Sequence, residues 1–277
     1  MKITSAQELN ELKNVEYKKA LIDLLYQLAD DDFIISYRGS EWLGLVPHIE
    51  EDVAYSSITQ NTMGHAAIYY QLLEDLGEGK ADDIAHGRAN TSDWKNAILL
   101  EEVNGPGNWL YQDPKYDWAF TVVRNYFYEV MKKIKIDSLK NSSYEPLAQV
   151  AIKVRSEALY HLMHWRTWFN QLVCAEGEAR RRMKEAIDKA WKDVAGLYSL
   201  GPNRDAIAKA GLIESEEVLK ERFIAAIKEA FEKLPLEFPG EPGMERGDGR
   251  AGVHTPDLKD AIDTLSEVYR LNPAVPW

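Results

Sequence analysis

Residues 144–174 read YEPLAQVAIKVRSEALYHLMHWRTWFNQLVC, and the spacing of their apolar positions predicts one long amphipathic helix. Alternating steps of three and four select Leu147, Val150, Val154, Glu157, His161, His164 and Trp168. Positions so spaced lie on one side of a helical cylinder and face other helices. A carboxylate and two imidazoles in the middle of such a seam cost free energy unless they are paired, hydrogen-bonded or bound to metal. Inward-facing Glu and His on neighbouring helices are also how a dinuclear carboxylate centre is built inside a bundle. Such centres use Glu-x-x-His, whereas Glu157 to His161 is one residue longer. The stretch thus implies a helical bundle and leaves two readings of its polar interior: a metal centre, or a satisfied network of buried polar groups.

The rest of the chain agrees with an all-α class. The 277 residues are enough for one large domain with a sizeable core. Hydrophobic residues make up 45% and charged residues 28%, the balance of a globular chain and not of a disordered one. With 33 basic and 45 acidic side chains the net charge is −12, which disfavours nucleic acid or an anionic membrane as a partner. One cysteine, Cys174, excludes an intrachain disulfide framework. The polar N-terminal segment lacks a signal-peptide pattern, and no apolar run nears the roughly 18 residues of a membrane span. The expectation is a cytoplasmic protein.

Four long helices are predicted, near residues 15–37, 48–76, 116–140 and 144–174. The first carries Leu21, Leu25, Leu28, Asp32 and Ile35 on one stripe, so an acid again interrupts an apolar face. Pro47 opens the second, and Phe120, Val123, Phe127, Val130 and Ile134 line the third. Residues 77–114 are rich in Gly and Pro, with only 94–103 helical, and supply a long crossover. Asn141-Ser142-Ser143 suggests a turn and cap before the fourth helix. The bundle core thus spans about 15–174, and a C-terminal helical extension about 178–277 completes a single domain of residues 1–277. In that extension, residues 235–254 are read as an unpacked excursion, and Thr255-Pro256 starts the last helix. Gly247-Asp248-Gly249-Arg250-Ala251-Gly252 matches GxGxxG, but no strand precedes it, so a flexible connector is the better reading. Arg180, Arg181 and Arg182 read as a solvated helix face, and Trp165, Trp168, Phe169 and Tyr160 as core or a packing interface.

If metal is bound, the candidate ligands are Asp32, Glu51 (or Asp52), Glu129, Glu157 and His161, with His65 and His164 nearby in pattern. Of the six histidines only His86 has an acid, Asp83, three residues earlier, and it lies in the loop-rich region.

Several stretches resemble the phenylacetyl-CoA 1,2-epoxidase family, and within it the C-type subunits. They are Arg38–Ala66 (RGSEWLGLVPHIEEDVAYSSITQNTMGHA), Arg124-Asn125-Tyr126-Phe127, Glu157–Leu162, and Gly252-Val253-His254-Thr255 through the terminal Trp277. The resemblance implies a ferritin-like bundle similar to the family's catalytic member, which is a di-iron protein. It also implies a structural, non-catalytic role in a monooxygenase complex of aerobic phenylacetate catabolism. On that reading this chain carries no cofactor of its own, iron resides in the homologous catalytic partner, and a separate reductase supplies electrons. An autonomous di-iron oxygenase with altered ligand spacing is the alternative, and a homo-oligomeric scaffold a third. Trp42, Trp109 and Trp277 are candidate interface anchors, with a place in the core the equal alternative for Trp42.

Overall fold

Four helices carry the apolar stripes anticipated from the sequence, and a computed structural model, which describes residues 2–107 and 113–275, shows how they meet. A short α1 (Ala6–Leu12) precedes α2 (Val15–Ser40) and α3 (Ile49–Asp75). The crossover contains α4 (Ala81–His86) and α5 (Ile98–Glu101), and α6 (Trp118–Leu139) and α7 (Glu145–Cys174) follow. The C-terminal part adds α8 (Glu178–Trp191), α9 (Arg204–Lys209), α10 (Glu216–Glu232) and α11 (Pro256–Leu271). Among the described residues there is no β-strand. A lone bridge joins Ile3 to Tyr144, where the Ile3 carbonyl accepts the Glu145 N–H at 2.8 Å and so caps the start of α7. The serines at 142 and 143 do not take the capping role that the sequence suggests. The N-cap position is instead Tyr144, without a side-chain cap.

The pairings give an antiparallel ring. Asp30 meets Tyr70 across α2 and α3, and Lys132 meets Asp32 across α6 and α2. Trp118 meets Trp168 across α6 and α7, and Glu51 meets His164 across α3 and α7. Because α3 and α6 run the same way, the chain must return along the full bundle between them, as in ferritin-like connectivity. The crossover is packed and not loose. Trp94, Asn96, Leu99, Leu100 and Glu101 are fully buried, and helix is confined to Ile98–Glu101 where the sequence predicts 94–103. Two buried arginines tie its backbone to the bundle: Arg38 Nε donates to the Glu101 carbonyl at 2.8 Å and Arg124 to that of Glu102 at 2.5 Å.

Helix α6 is buried almost all round, because α8 and α10 cover the side that α2 and α7 do not. Phe127 sits at the junction, against Phe169, Trp191 and Phe223. A helix enclosed in this way can carry Glu129, Lys132 and Lys135 only if other elements bring partners to them.

Residues 235–254 are not an unpacked excursion. Arg250 is fully buried; its guanidinium grips Asp31 through two bonds of 2.8 and 2.7 Å. It also reaches the carbonyls of Lys95 at 2.5 Å and Ser199 at 3.2 Å. The GxGxxG glycines make this approach sterically possible: a Cβ at Gly249 would run into the Asn96 carbonyl. A Cβ at Gly201, opposite, would stand 2.5 Å from that of Arg250. Downstream, the Glu101 carboxylate accepts from the Thr255 N–H at 2.6 Å and hydroxyl at 2.9 Å, fixing the start of α11.

Replacing Arg250 by Ala strands Asp31 in the core. We expect a loss of about 3–5 kcal/mol, the usual cost of breaking a buried ion pair from one side, measured by urea unfolding. A loss below about 1 kcal/mol would show that Lys135 alone suffices for Asp31.

Candidate site inside the bundle

The seam of α7 follows the sequence pattern at Leu147, Val150, Val154 and His161 and runs one residue later at the other three positions. The buried stripe is Val154, Ala158, His161, Trp165, Phe169 and Val173, so Ala158, and not Glu157, occupies the inward position one turn before His161. The Glu157 side chain is 50% exposed at the seam's edge. His164 and Trp168 are likewise only partly buried, and Tyr160 is 69% exposed. From its edge position Glu157 still reaches inward, with Oε2 at 2.7 Å from Nε2 of His65.

His65, buried on α3, opens a continuous chain of polar contacts. Its Nδ1 is 3.0 Å from Lys132 Nζ, and that ammonium donates to Asp32 Oδ1 at 2.5 Å. The same oxygen accepts the Tyr128 hydroxyl at 2.5 Å. Burial, reinforced by Lys132 and His161, drives the His65 pKa down to about 2, so the imidazole is neutral at ordinary pH. A neutral ring that accepts from an ammonium at Nδ1 must carry its proton on Nε2, which donates to Glu157. Burial raises the Asp32 pKa despite Lys132 and the Tyr128 hydroxyl beside it. Tyr128 is pushed well above the ordinary phenol range by burial and by Asp32, so it remains a donor.

Glu129 and His161 form the other half of the interior. They approach to 3.5 Å without hydrogen-bond geometry, and Glu129 Oε2 and both imidazole nitrogens are buried with no partner. The His65 and His161 rings stack at 6.0 Å. Glu51 is not part of this group. It lies 65 − 51 = 14 residues from His65 along α3, roughly 21 Å at helical rise, bonded to His164 at 3.0 Å and Trp168 at 2.6 Å. Asp52 instead accepts the Gly44 N–H at 2.8 Å.

Of the sequence candidates, then, Asp32, Glu129 and His161 converge with His65; Glu157 touches the group from outside, and Glu51 is remote. The pattern missed Asp30 and Asp31, which are buried beside Asp32, and it missed Lys132 and Lys135. Arg88 forks onto Asp30 at 2.9 and 2.5 Å. Burial would push Asp31 up, but Arg250 and Lys135 outweigh it and hold the carboxyl below its usual range. Burial and the nearby Arg250 charge bring Lys135 down to about 8.

This donor set does not fit a di-iron centre. Such a centre takes a carboxylate from each of two helices and Glu-x-x-His from each of the other two. Here α2 gives Asp32 and α6 gives Glu129, while the other two motifs read Thr62-x-x-His65 and Ala158-x-x-His161. Both carboxylates one turn before the histidines are missing, and both replacements are buried. Among the described residues no three of His, Cys, Asp or Glu are grouped as a metal would need. The cavity at Asp32 and Lys132 holds about 10 Å³, near the size of a single water, and an open groove between α3 and α7 reaches Glu157 and His161 from the other side.

Other motifs resolve plainly. Arg181 and Arg182 pair with Glu178 on an exposed face, and Arg180 bonds the last carbonyls of α7. Asp83 takes the Tyr269 hydroxyl at 2.6 Å, outside the four-helix core. No described helix is long and apolar enough to cross a membrane.

His65 gives the stability a pH dependence. Its folded pKa lies below the unfolded value of 6.5, so between the two the unfolded chain binds a proton that the folded chain refuses. Stability present above pH 6.5 is therefore lost as the pH falls, by up to about 1.4 kcal/mol per unit from this group. Urea unfolding between pH 7 and 5 should show this slope, and it should flatten in His65→Gln. Equal slopes for the two proteins would remove His65 as its source.

Comparison with known proteins places this architecture. The family model described as "Phenylacetic acid catabolic protein" matches residues 4–277, and the chain belongs to that family. It is 27% identical over 252 residues to the C-type subunit of the 1,2-phenylacetyl-CoA epoxidase of Escherichia coli (strain K12), covering 91% of this chain and 96% of that protein. To the A-type subunit of the same epoxidase it is 24% identical over 195 residues, 68% of this chain and 56% of that one.

Proposed function

We propose that this chain is a structural, non-catalytic subunit of a phenylacetyl-CoA 1,2-epoxidase complex in aerobic phenylacetate catabolism, docking on and stabilising a homologous di-iron catalytic partner. The observation that carries the reading is the interior just described. The bundle, two acids and two histidines are kept, but the glutamates of both Glu-x-x-His motifs are replaced by Thr62 and Ala158, and Lys132 fills the space between. A member of this family with such an interior contributes something other than oxygen activation. Likeness to the C-type protein over nearly its whole length, and to the A-type protein over a shorter span, supports a pairing of two related bundles.

The surface supplies a face for that pairing. Between α3 and α7 lies an open groove of about 590 Å³, lined by Ala54, Ser57, Tyr160, Met163 and Trp168 among others. Ile49 and Val53 continue the Ser57 stripe toward the start of α3 and are 71% and 68% exposed. Large apolar side chains gathered along one face mark an interaction site. Of the tryptophans expected as anchors, Trp42 is core, buried against Trp118 and Tyr116, while Trp109 and Trp277 lie outside the described residues.

The test is to co-express the chain with a di-iron catalytic homologue, measure co-elution, and then measure turnover of phenylacetyl-CoA with the reductase present. We expect turnover to require this chain. The pair Tyr160→Glu and Met163→Glu should weaken association at least about tenfold, or about 1.4 kcal/mol, with the helical circular-dichroism signal intact. Full turnover with this chain left out would refute the structural role, whereas unweakened association of the variant would refute only the chosen face.

A further inference from the structure

We infer that Lys132 is the resident cation of this bundle: its ammonium replaces, inside a metal-site scaffold, the positive charge that a bound metal would bring. Lys132 stands one turn beyond Glu129 on α6, on the same inward face, and is 5% exposed. Its ammonium bonds Asp32 Oδ1 at 2.5 Å and His65 Nδ1 at 3.0 Å. It thus joins an acid of one helix to an imidazole of another, as a bridging metal does. The His65 lone pair that would coordinate metal is spent on this ammonium, and the other ring nitrogen faces Glu157 at 2.7 Å. That half of the interior is closed.

The other half keeps its donors free. Glu129 Oε2 and both His161 nitrogens have no partner and are buried. They are what remains when a ligand set loses its metal but not its scaffold. Leaving all four carboxylates in place without metal would crowd like charges in a poorly solvated interior. Removing two, at Thr62 and Ala158, and adding one ammonium brings the interior close to balance.

The consequence is a latent cation site that three substitutions would open: Lys132→Ala frees His65, and Thr62→Glu with Ala158→Glu restores both ligand pairs. The full chain and this triple variant are titrated with Co(II), followed by visible absorption and metal content after gel filtration. Wild type should show no Co(II) spectrum. The triple variant should bind at least about 100-fold more tightly, the scale by which ligand-shell changes alter metal affinity, and lose the spectrum on further His65→Ala. A folded triple variant that binds no better than wild type overturns the inference, as does a His65-dependent spectrum in wild type. Should the variant fail to fold, nitrogen NMR of His65 in the wild-type chain decides. A proton on Nε2, with Nδ1 accepting a bond that vanishes in Lys132→Ala, is the expected result. A proton on Nδ1 would exclude the ammonium contact and sink the proposal.

Discussion

Asp30, Asp31 and Asp32 follow one another on α2, and all three are buried. Successive side chains on a helix point about 100° apart, so no single cation can serve them. Each draws its partner from a different direction: Asp30 from Arg88 in the crossover, Asp31 from Arg250 near the C-terminus and Lys135 on α6, Asp32 from Lys132 on α6. The acids therefore bind together the segments that the hydrophobic effect alone would place only loosely. Burial of apolar area is non-directional, whereas a forked guanidinium on a carboxylate fixes both distance and angle. Register of the crossover and of residues 235–254 against the bundle follows from these pairs.

The same constraint explains the character of the interior. An enclosed α6 with charged groups on two sides needs partners from other elements, and its Lys132 and Lys135 find them in Asp32 and Asp31 of α2. Glu129 Oε2 and both ring nitrogens of His161 remain buried without a partner. Polar burial in this protein is thus largely structural.

Much of this was legible in the sequence, and its failures have physical causes. The stripes of α2 and α6, from Leu21 to Ile35 and from Phe120 to Ile134, marked both as packed helices, although that of α6 meets α8 and α10 at Phe127. On α7 the choice between Glu157 and Ala158 after Val154 is a choice between a step of three and a step of four, and polarity favoured the wrong one. Glu157 lies near enough to the seam to reach His65, which is why the error was small in distance yet large in chemistry. Reading Thr62 and Ala158 as the positions one turn before His65 and His161 shows directly that neither pair carries a carboxylate. Lys132 was invisible for another reason: a lysine on an amphipathic helix is expected to face solvent, and nothing local announces that α8 and α10 cover the far side. Arg250 was hidden by its setting, since glycines that permit close approach look the same in sequence as glycines that make a linker flexible. How the chain meets a catalytic homologue depends on exposed groups such as Tyr160 and Val53, whose burial in a complex no helical period encodes.

The Asp31–Arg250 pair spans 219 residues of chain, and this separation bears on how the protein is made. During synthesis α2 emerges long before the arginine that completes its charge balance, at the usual pace of about 5–20 residues per second. For that interval Asp31 has at best Lys135 for company, and then only once α6 has arrived. The bundle can collapse early around its aliphatic stripes, but closing its polar centre waits for one of the most distant contacts in the molecule, the kind that slows folding. Until residue 250 is in place, the carboxylate of Asp31 lacks the guanidinium that grips it in the finished fold.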